Sequence, residues 1–182
     1  MTSPIKEEVA VGAAHRRLGI PRDYSERTGL SRQTYPAALV PVLVDPRRGA
    51  FSMSRDAADA WLDLQAEARR VGHELIVVST FRSIEEQEHL IRARLDGGED
   101  IREILETSTA PGYSEHHSGA AIDVTVPEVG SLDEEFAETE AFAWLEDNAE
   151  RFGFHLSYPE DNDHGLDFEP WHWRYKGKGG HS

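Results

Sequence analysis

The stretch SRDAADAWLDLQAEARRVGHELIVVST, from Ser54 to Thr80, constrains the fold more than any other part of the chain. It couples a helix to a buried strand with almost no connection between them. Ser54 stands at the N-cap position, acidic residues crowd the first turns, Arg69 and Arg70 close the last turn, and Gly72 stops it. Ala58, Trp61, Leu62, Gln65 and Ala68 recur near helical spacing and are expected on its inner face. The apolar run Leu75–Ser79 then has the length and β-branched content of a strand covered on both faces.

Further elements follow from local signals. Ala38–Asp45 (ALVPVLVD) reads as a short strand, and Pro41, which lacks an N–H to donate, places it at an edge. SIEEQEHLIRARLDGG is a second helix, capped by Ser83 and stopped at Gly97-Gly98; DIREILETS is a short third one. AIDVTV (121–126) is a strand, and DEEFAETEAFAWLEDNAERFG a fourth helical region with Phe142, Leu145 and Ala149 on one face and Gly153 as its stop. FHLSYP and FEPWHWRY finish the chain as two aromatic strands around a polar loop. Helices and strands mix without βαβ regularity, so the expected class is α+β: helices packed on a small, mostly antiparallel sheet. Residues 1–35 are expected to wrap the surface or be flexible, apart from a short helix at EEVAVGAAHRRLGI; residues 36–182 are expected to form one domain.

Charge and cysteine content narrow the function. With 34 acidic against 19 basic residues, the net charge of -15 repels phosphate backbones, so neither nucleic acid nor an anionic membrane surface is an expected partner. No apolar run approaches a membrane span. The chain has no cysteine, which excludes disulfides and thiolate metal sites, so any metal must be held by His, Asp or Glu. The opening MTSPIKEEVAVGAAHRR lacks the apolar core of a secretory leader; a cytoplasmic protein, a removed leader and another export route all stay open.

Three segments carry unusual polar residues beside strands. In STFRSIEEQ, Arg82 lies between a strand end and a helix start, with Gln87 one turn into the helix; a surface ion pair would account for such an arginine equally well. APGYSEHHSGAAIDV (110–124) brings Ser114, the doublet His116-His117 and Asp123 together through small residues that permit close backbone approach. In FEPWHWRY, Glu169 and His172 would face opposite sides of a straight strand, so Pro170 must bend the chain if both are to reach one cavity. Taken together, His116, Asp123 and His172 form a hard N/O set suited to tetrahedral Zn2+ with one position open. Glu169 is then the candidate general base and Arg82 the candidate partner of an oxyanion or a substrate carboxylate.

These segments resemble the D-alanyl-D-alanine carboxypeptidase family of zinc peptidases, the VanY-type enzymes. STFRSIEEQ, PGYSEHHSGAAIDV, WLEDNAERFGFHLSYP and FEPWHWRY occur in the family's order and spacing between about Trp61 and Tyr175. The resemblance implies His116, Asp123 and His172 as ligands of one zinc ion, Glu169 as catalytic base, Arg82 at the substrate carboxylate or transition state, and Ser114 and Gln87 as substrate contacts. It selects His116 over His117, and leaves His15, His73, His89, His155, His164 and His181 without a ligand role. It also implies a hedgehog-like small sheet, action as a monomer, and hydrolysis of the terminal D-alanine from peptidoglycan stem peptides in the cell envelope. Phe81 replaces the family's usual tyrosine and Ala120 a bulkier residue, which removes one hydroxyl and opens the site. An L,D-carboxypeptidase, a D,D-dipeptidase or an L-alanyl-D-glutamate endopeptidase would use the same chemistry. A non-catalytic binding module would have no use for Glu169 beside a full ligand set.

Overall fold

A computed structural model describes residues 4–47 and 49–177. In chain order the elements are α1 (Pro4–Leu18), α2 (Tyr24–Thr28), β1 (Leu39–Asp45), β2 (Gly49–Ser54), α3 (Arg55–Arg70), β3 (Ile76–Ser79), α4 (Ile84–Asp96) and α5 (Ile101–Thr107). A 3-10 turn (Glu115–Ser118) leads into β4 (Ala121–Thr125). A second 3-10 turn (Glu134–Glu138), α6 (Glu140–Asn148), a third (Ala149–Phe152), β5 (Phe154–Leu156) and β6 (His172–Tyr175) complete the chain. The fold is α+β. Four strands form an antiparallel sheet in the order β3-β4-β6-β5, and β1 and β2 form a separate hairpin.

β4 is central and buried along its whole length. On it pack α3, α6 and the hairpin, whose Phe51 and Met53 join Trp61, Leu64, Val77, Ile122, Val124, Phe142, Leu145 and Trp173 in the main core. A second core forms apart from the first. There Leu18, Ile20, Tyr24 and Leu30 from the N-terminal stretch meet Ile91, Ile104, Leu105, Tyr158 and Leu166. Val11 and Ala14 of α1 are also buried, so about two turns of that helix are held by packing rather than by intrinsic propensity. Among the described residues no helix is long and apolar enough to cross a membrane.

Several sequence expectations need correction. β2 was not anticipated, because GAFSMS is poor in strand-forming residues; its ladder with β1 and the burial of Phe51 and Met53 hold it extended. Ser54 does occupy the N-cap of α3, but its side chain makes no capping bond; its amide instead donates to the Gly119 carbonyl at 2.8 Å. Leu62 faces solvent at 47% exposure, while Leu64 is 1% exposed, so the inner face of α3 follows Ala57, Trp61, Leu64 and Ala68. The fourth helical region is broken at Thr139, whose hydroxyl caps α6 by accepting from the Phe142 amide. FEPW is a turn ahead of β6 rather than strand. Other local signals match the expectation: Ser83 and Glu86 form a capping box on α4, and Pro41 lies where the register slips in a two-stranded hairpin.

Gly119 joins the hairpin to the loop that precedes β4. Its φ is +66°, and a Cβ there would lie 2.9 Å from the Ser54 nitrogen and 3.1 Å from Leu39 Cδ2. Gly119→Ala should therefore lower the free energy of unfolding in urea by about 1–3 kcal/mol, from left-handed strain plus the clash with backbone. A loss below about 0.5 kcal/mol would contradict this close approach.

Candidate functional site

The sheet register assembles the site. On β4, Asp123 pairs with Ser79 of β3 on one side and with His172 of β6 on the other, so three strands contribute one residue each to a single row. His116 enters from the 3-10 turn just before β4, where its Nδ1–H donates to the Thr80 carbonyl at 2.6 Å and leaves Nε2 facing inward. That Nε2 lies 3.1 Å from Asp123 Oδ2, and His172 Nδ1 lies 2.9 Å from Asp123 Oδ1. Ligand atoms of His116, Asp123 and His172 all fall within 4.8 Å of one another, and all three residues are buried. Two imidazoles and a carboxylate, buried and with their ligand atoms within 4.8 Å of one another, fit a divalent cation such as zinc.

The electrostatics follow from that packing. Burial raises the Asp123 carboxyl, but the adjoining His116 and His172 outweigh it and hold the group well below the usual carboxylate range. Burial lowers His116. It also disfavours charge on His172, yet bonds to Asp123 and Glu115 reverse the effect and push it up to about 10. Glu169 comes from the turn before β6, in which the His172 amide donates to the Glu169 carbonyl at 3.0 Å. This turn is how both side chains reach one cavity: Glu169 Oε2 lies 3.9 Å from His172 Nδ1. Burial pushes the Glu169 carboxyl up to about 7, although its side chain keeps 15% of its exposure toward the cavity. A carboxylate poised near neutrality can both take and return a proton.

A cavity of about 160 Å³ opens on these groups, lined also by Arg82, Gln87, Ser114, Tyr158 and Trp171. Arg82 is held by two bonds, to Gln87 Oε1 at 2.7 Å and to Ser79 Oγ at 2.9 Å, and its Nη2 stands 3.9 Å from Asp123 Oδ2. Gln87 is 1% exposed, and its amide is engaged at both ends, since its Nε2 donates to the Thr109 carbonyl. Ser114 is buried at the start of the 3-10 turn. The structure thus brings all seven candidate residues to one cavity.

His117 faces the other way. Its Nδ1–H donates to the Arg82 carbonyl at 2.6 Å, and its Nε2 accepts from the Gly112 amide at 3.0 Å. Burial pushes it down to about 4, so it is a neutral tie between two loops. His15 and His164 bond the carbonyls of Pro111 and Thr28, His73 lies beside Trp144, His89 is exposed and His155 half-buried on β5. His181 lies outside the described residues.

Sequence reasoning missed Glu115, which is 9% exposed and bonds His172 Nε2 at 3.0 Å, Ser157 Oγ at 2.7 Å and Arg174 Nη1 at 2.7 Å. One signal was available: Arg174 and His172 lie two apart on a strand and so share a face. A cation on that face requires a carboxylate nearby.

The profile of the VanY family, described as D-alanyl-D-alanine carboxypeptidase, matches residues 50–178. YodJ of Bacillus subtilis (strain 168) is 36% identical over 128 residues, which cover 68% of this chain and 46% of that protein. The chain spans about half the length, or less, of the curated relatives it matches. Among solved structures, the LdcB LD-carboxypeptidase superposes with a TM-score of 0.71 at 32% identity, covering 80% of this chain and 71% of that one. A mutant of the vancomycin-resistance D,D-pentapeptidase VanY, in complex with Zn(II), superposes with a TM-score of 0.59 at 27% identity, covering 80% and 87%.

His117→Phe keeps an aromatic ring at this fully buried position, though a somewhat larger one, and orphans the Arg82 carbonyl and the Gly112 amide. It should lower the unfolding free energy by about 2–4 kcal/mol, the sum of two lost buried hydrogen bonds. Stability within about 0.5 kcal/mol of the parent would contradict its role as a tie.

Proposed function

Because the chain belongs to the VanY family of D-alanyl-D-alanine carboxypeptidases, we propose that it is a zinc-dependent carboxypeptidase that removes the terminal D-alanine from peptidoglycan stem peptides. The observation that carries this reading is the buried His116–Asp123–His172 cluster with Glu169 beside it on one small cavity. His116, Asp123 and His172 would hold the ion; when bound, zinc supplies a Lewis acid that polarises the scissile carbonyl and acidifies an adjacent water.

The chain's own residues do the rest. Glu169, held near neutrality by burial, takes a proton from the attacking water as the new C–O bond forms at the scissile carbonyl. Arg82 offers a fixed cation to the developing oxyanion or to the substrate's terminal carboxylate, and the bonds from Gln87 and Ser79 keep it from swinging into solvent. The C–N bond then breaks, and Glu169 passes its proton to the leaving amine, which departs as free D-alanine. Gln87 acts through Arg82 as well as lining the cavity, and Ser114 lines the wall near the substrate. The cavity volume of about 160 Å³ suits a small terminal residue. Every residue named comes from one chain, so the chemistry requires no second copy.

The overlap with LdcB favours a second reading, an L,D-carboxypeptidase that removes D-alanine from tetrapeptide rather than pentapeptide stems. Incubation with both stems separates the two by product identity. D-Alanine release should disappear on chelation and return with added Zn2+. Glu169→Gln should retain the metal but lose about 10²–10⁴-fold in kcat. Release that survives complete metal removal, or an undiminished Glu169→Gln variant, would overturn the proposal.

A further inference from the structure

One buried charge is not used by the chemistry above. Glu115 lies at the Nε2 side of His172, and both of its carboxylate oxygens are engaged: Oε2 accepts from His172 Nε2 at 3.0 Å and from Ser157 Oγ at 2.7 Å, while Oε1 accepts from Arg174 Nη1 at 2.7 Å. Arg174 in turn donates through Nη2 to Gln33 Oε1 at 3.1 Å. Gln33 is anchored by its own backbone, whose amide donates to the Gly112 carbonyl at 2.9 Å. A continuous line of hydrogen bonds therefore runs from the N-terminal stretch to the metal-facing imidazole.

The direction of this line has a chemical consequence. A histidine that ligates a cation through one nitrogen must carry its proton on the other, and a carboxylate at that second nitrogen selects the tautomer and fixes the ring plane. His116 achieves this with a neutral backbone carbonyl at Nδ1 and presents Nε2. His172 does the reverse, since Glu115 is bonded to Nε2 and Nδ1 is left beside Asp123. The two imidazoles meet edge to face, with ring centroids 4.9 Å apart, so rotating His172 to present its other nitrogen would break the bond to Glu115 and disturb this packing.

We propose that Glu115, Arg174 and Gln33 form a positioning relay that commits His172 to bind its cation through Nδ1, with residue 33 supplying the outer end from outside the family-matched span. The relay rests on the metal-site reading given above. Glu115 borders the cavity, but both its carboxylate oxygens are engaged by His172, Ser157 and Arg174, so Glu115 and Arg174 are positioning residues, and Gln33 holds Arg174 at its distal nitrogen. The profile match begins at residue 50, so the part played by Gln33 belongs to the stretch that precedes it. This gives the N-terminal segment a task at the site as well as in the second core.

The test reads metal binding directly. Full-length protein is titrated with Zn2+ against a chromophoric chelator, and 15N-histidine spectra of the Zn2+-loaded protein identify which nitrogen of each ring is ligated. In the parent, His172 should be bound through Nδ1 and protonated at Nε2, and His116 the opposite. Glu115→Leu should weaken Zn2+ about 10–100-fold, as expected for loss of a carboxylate behind a ligating histidine. Glu115→Gln, which keeps an acceptor of the same shape, should recover most of this loss and lie within about tenfold of the parent, a graded rescue that general destabilisation would not produce. Gln33→Leu, at the outer end, should weaken Zn2+ by about two- to fivefold and leave the Nδ1 ligation intact. If Glu115→Leu fails to fold, the parent spectra and the Glu115→Gln and Gln33→Leu titrations still decide. Ligation of His172 through Nε2, or unchanged Zn2+ affinity in the Glu115 variants, would overturn the relay while leaving the metal site standing. A parent protein that binds no Zn2+ would overturn both.

Discussion

Asp123 is the residue on which the site depends. A carboxylate at 3% exposure in the middle strand of a sheet is strongly disfavoured unless charge and hydrogen bonds surround it. Here His116 and His172 do so directly, at 3.1 and 2.9 Å, and Arg82 stands at 3.9 Å. The pairing of β4 with β3 and β6 is what brings these partners to it. A slip of one residue in either register would turn Asp123, Ser79 or His172 to the opposite face, so the ladder and the candidate site are specified together.

Around that row the molecule supplies two kinds of support. On one side the main core, built from α3, α6 and the sheet, fixes the strands. On the other, loops are tied to one another by buried polar bonds: His117 joins the loop at Gly112 to the carbonyl of Arg82, and Gln87 joins Arg82 to Thr109. The N-terminal stretch adds Tyr35, whose hydroxyl accepts from the Ile84 amide at the start of α4 and whose ring packs on Phe81. The residues expected to meet substrate are thus mounted on short strands and braced turns. Preorganisation of this kind is what a site must have if its cation and its base are to act without rearrangement.

Much of this was legible in the sequence because it is local. The capping Ser83 marked α4, Gly153 marked the end of the last helical stretch, and the segments PGYSEHHSGAAIDV and FEPWHWRY marked the polar cluster. What was not legible is what depends on contacts between distant segments. GAFSMS becomes a strand only because β1 lies beside it, and Leu62 and Leu64 could be told apart only once the partner of α3 was known. Glu115 was hidden for a different reason. In a chain with 34 acidic residues a lone glutamate does not stand out by itself, and the signal for it lies in Arg174, far along the chain on β6.

The central claim is that His116, Asp123 and His172 are the metal ligands and that the conspicuous neighbour His117 is not. X-ray absorption at the zinc edge of the loaded protein tests this most directly. Two imidazole nitrogens and a carboxylate oxygen at about 2.0–2.2 Å are expected, with one imidazole lost in His116→Ala and none in His117→Phe. Three imidazoles in the parent, or an unchanged spectrum in His116→Ala, would contradict the assignment.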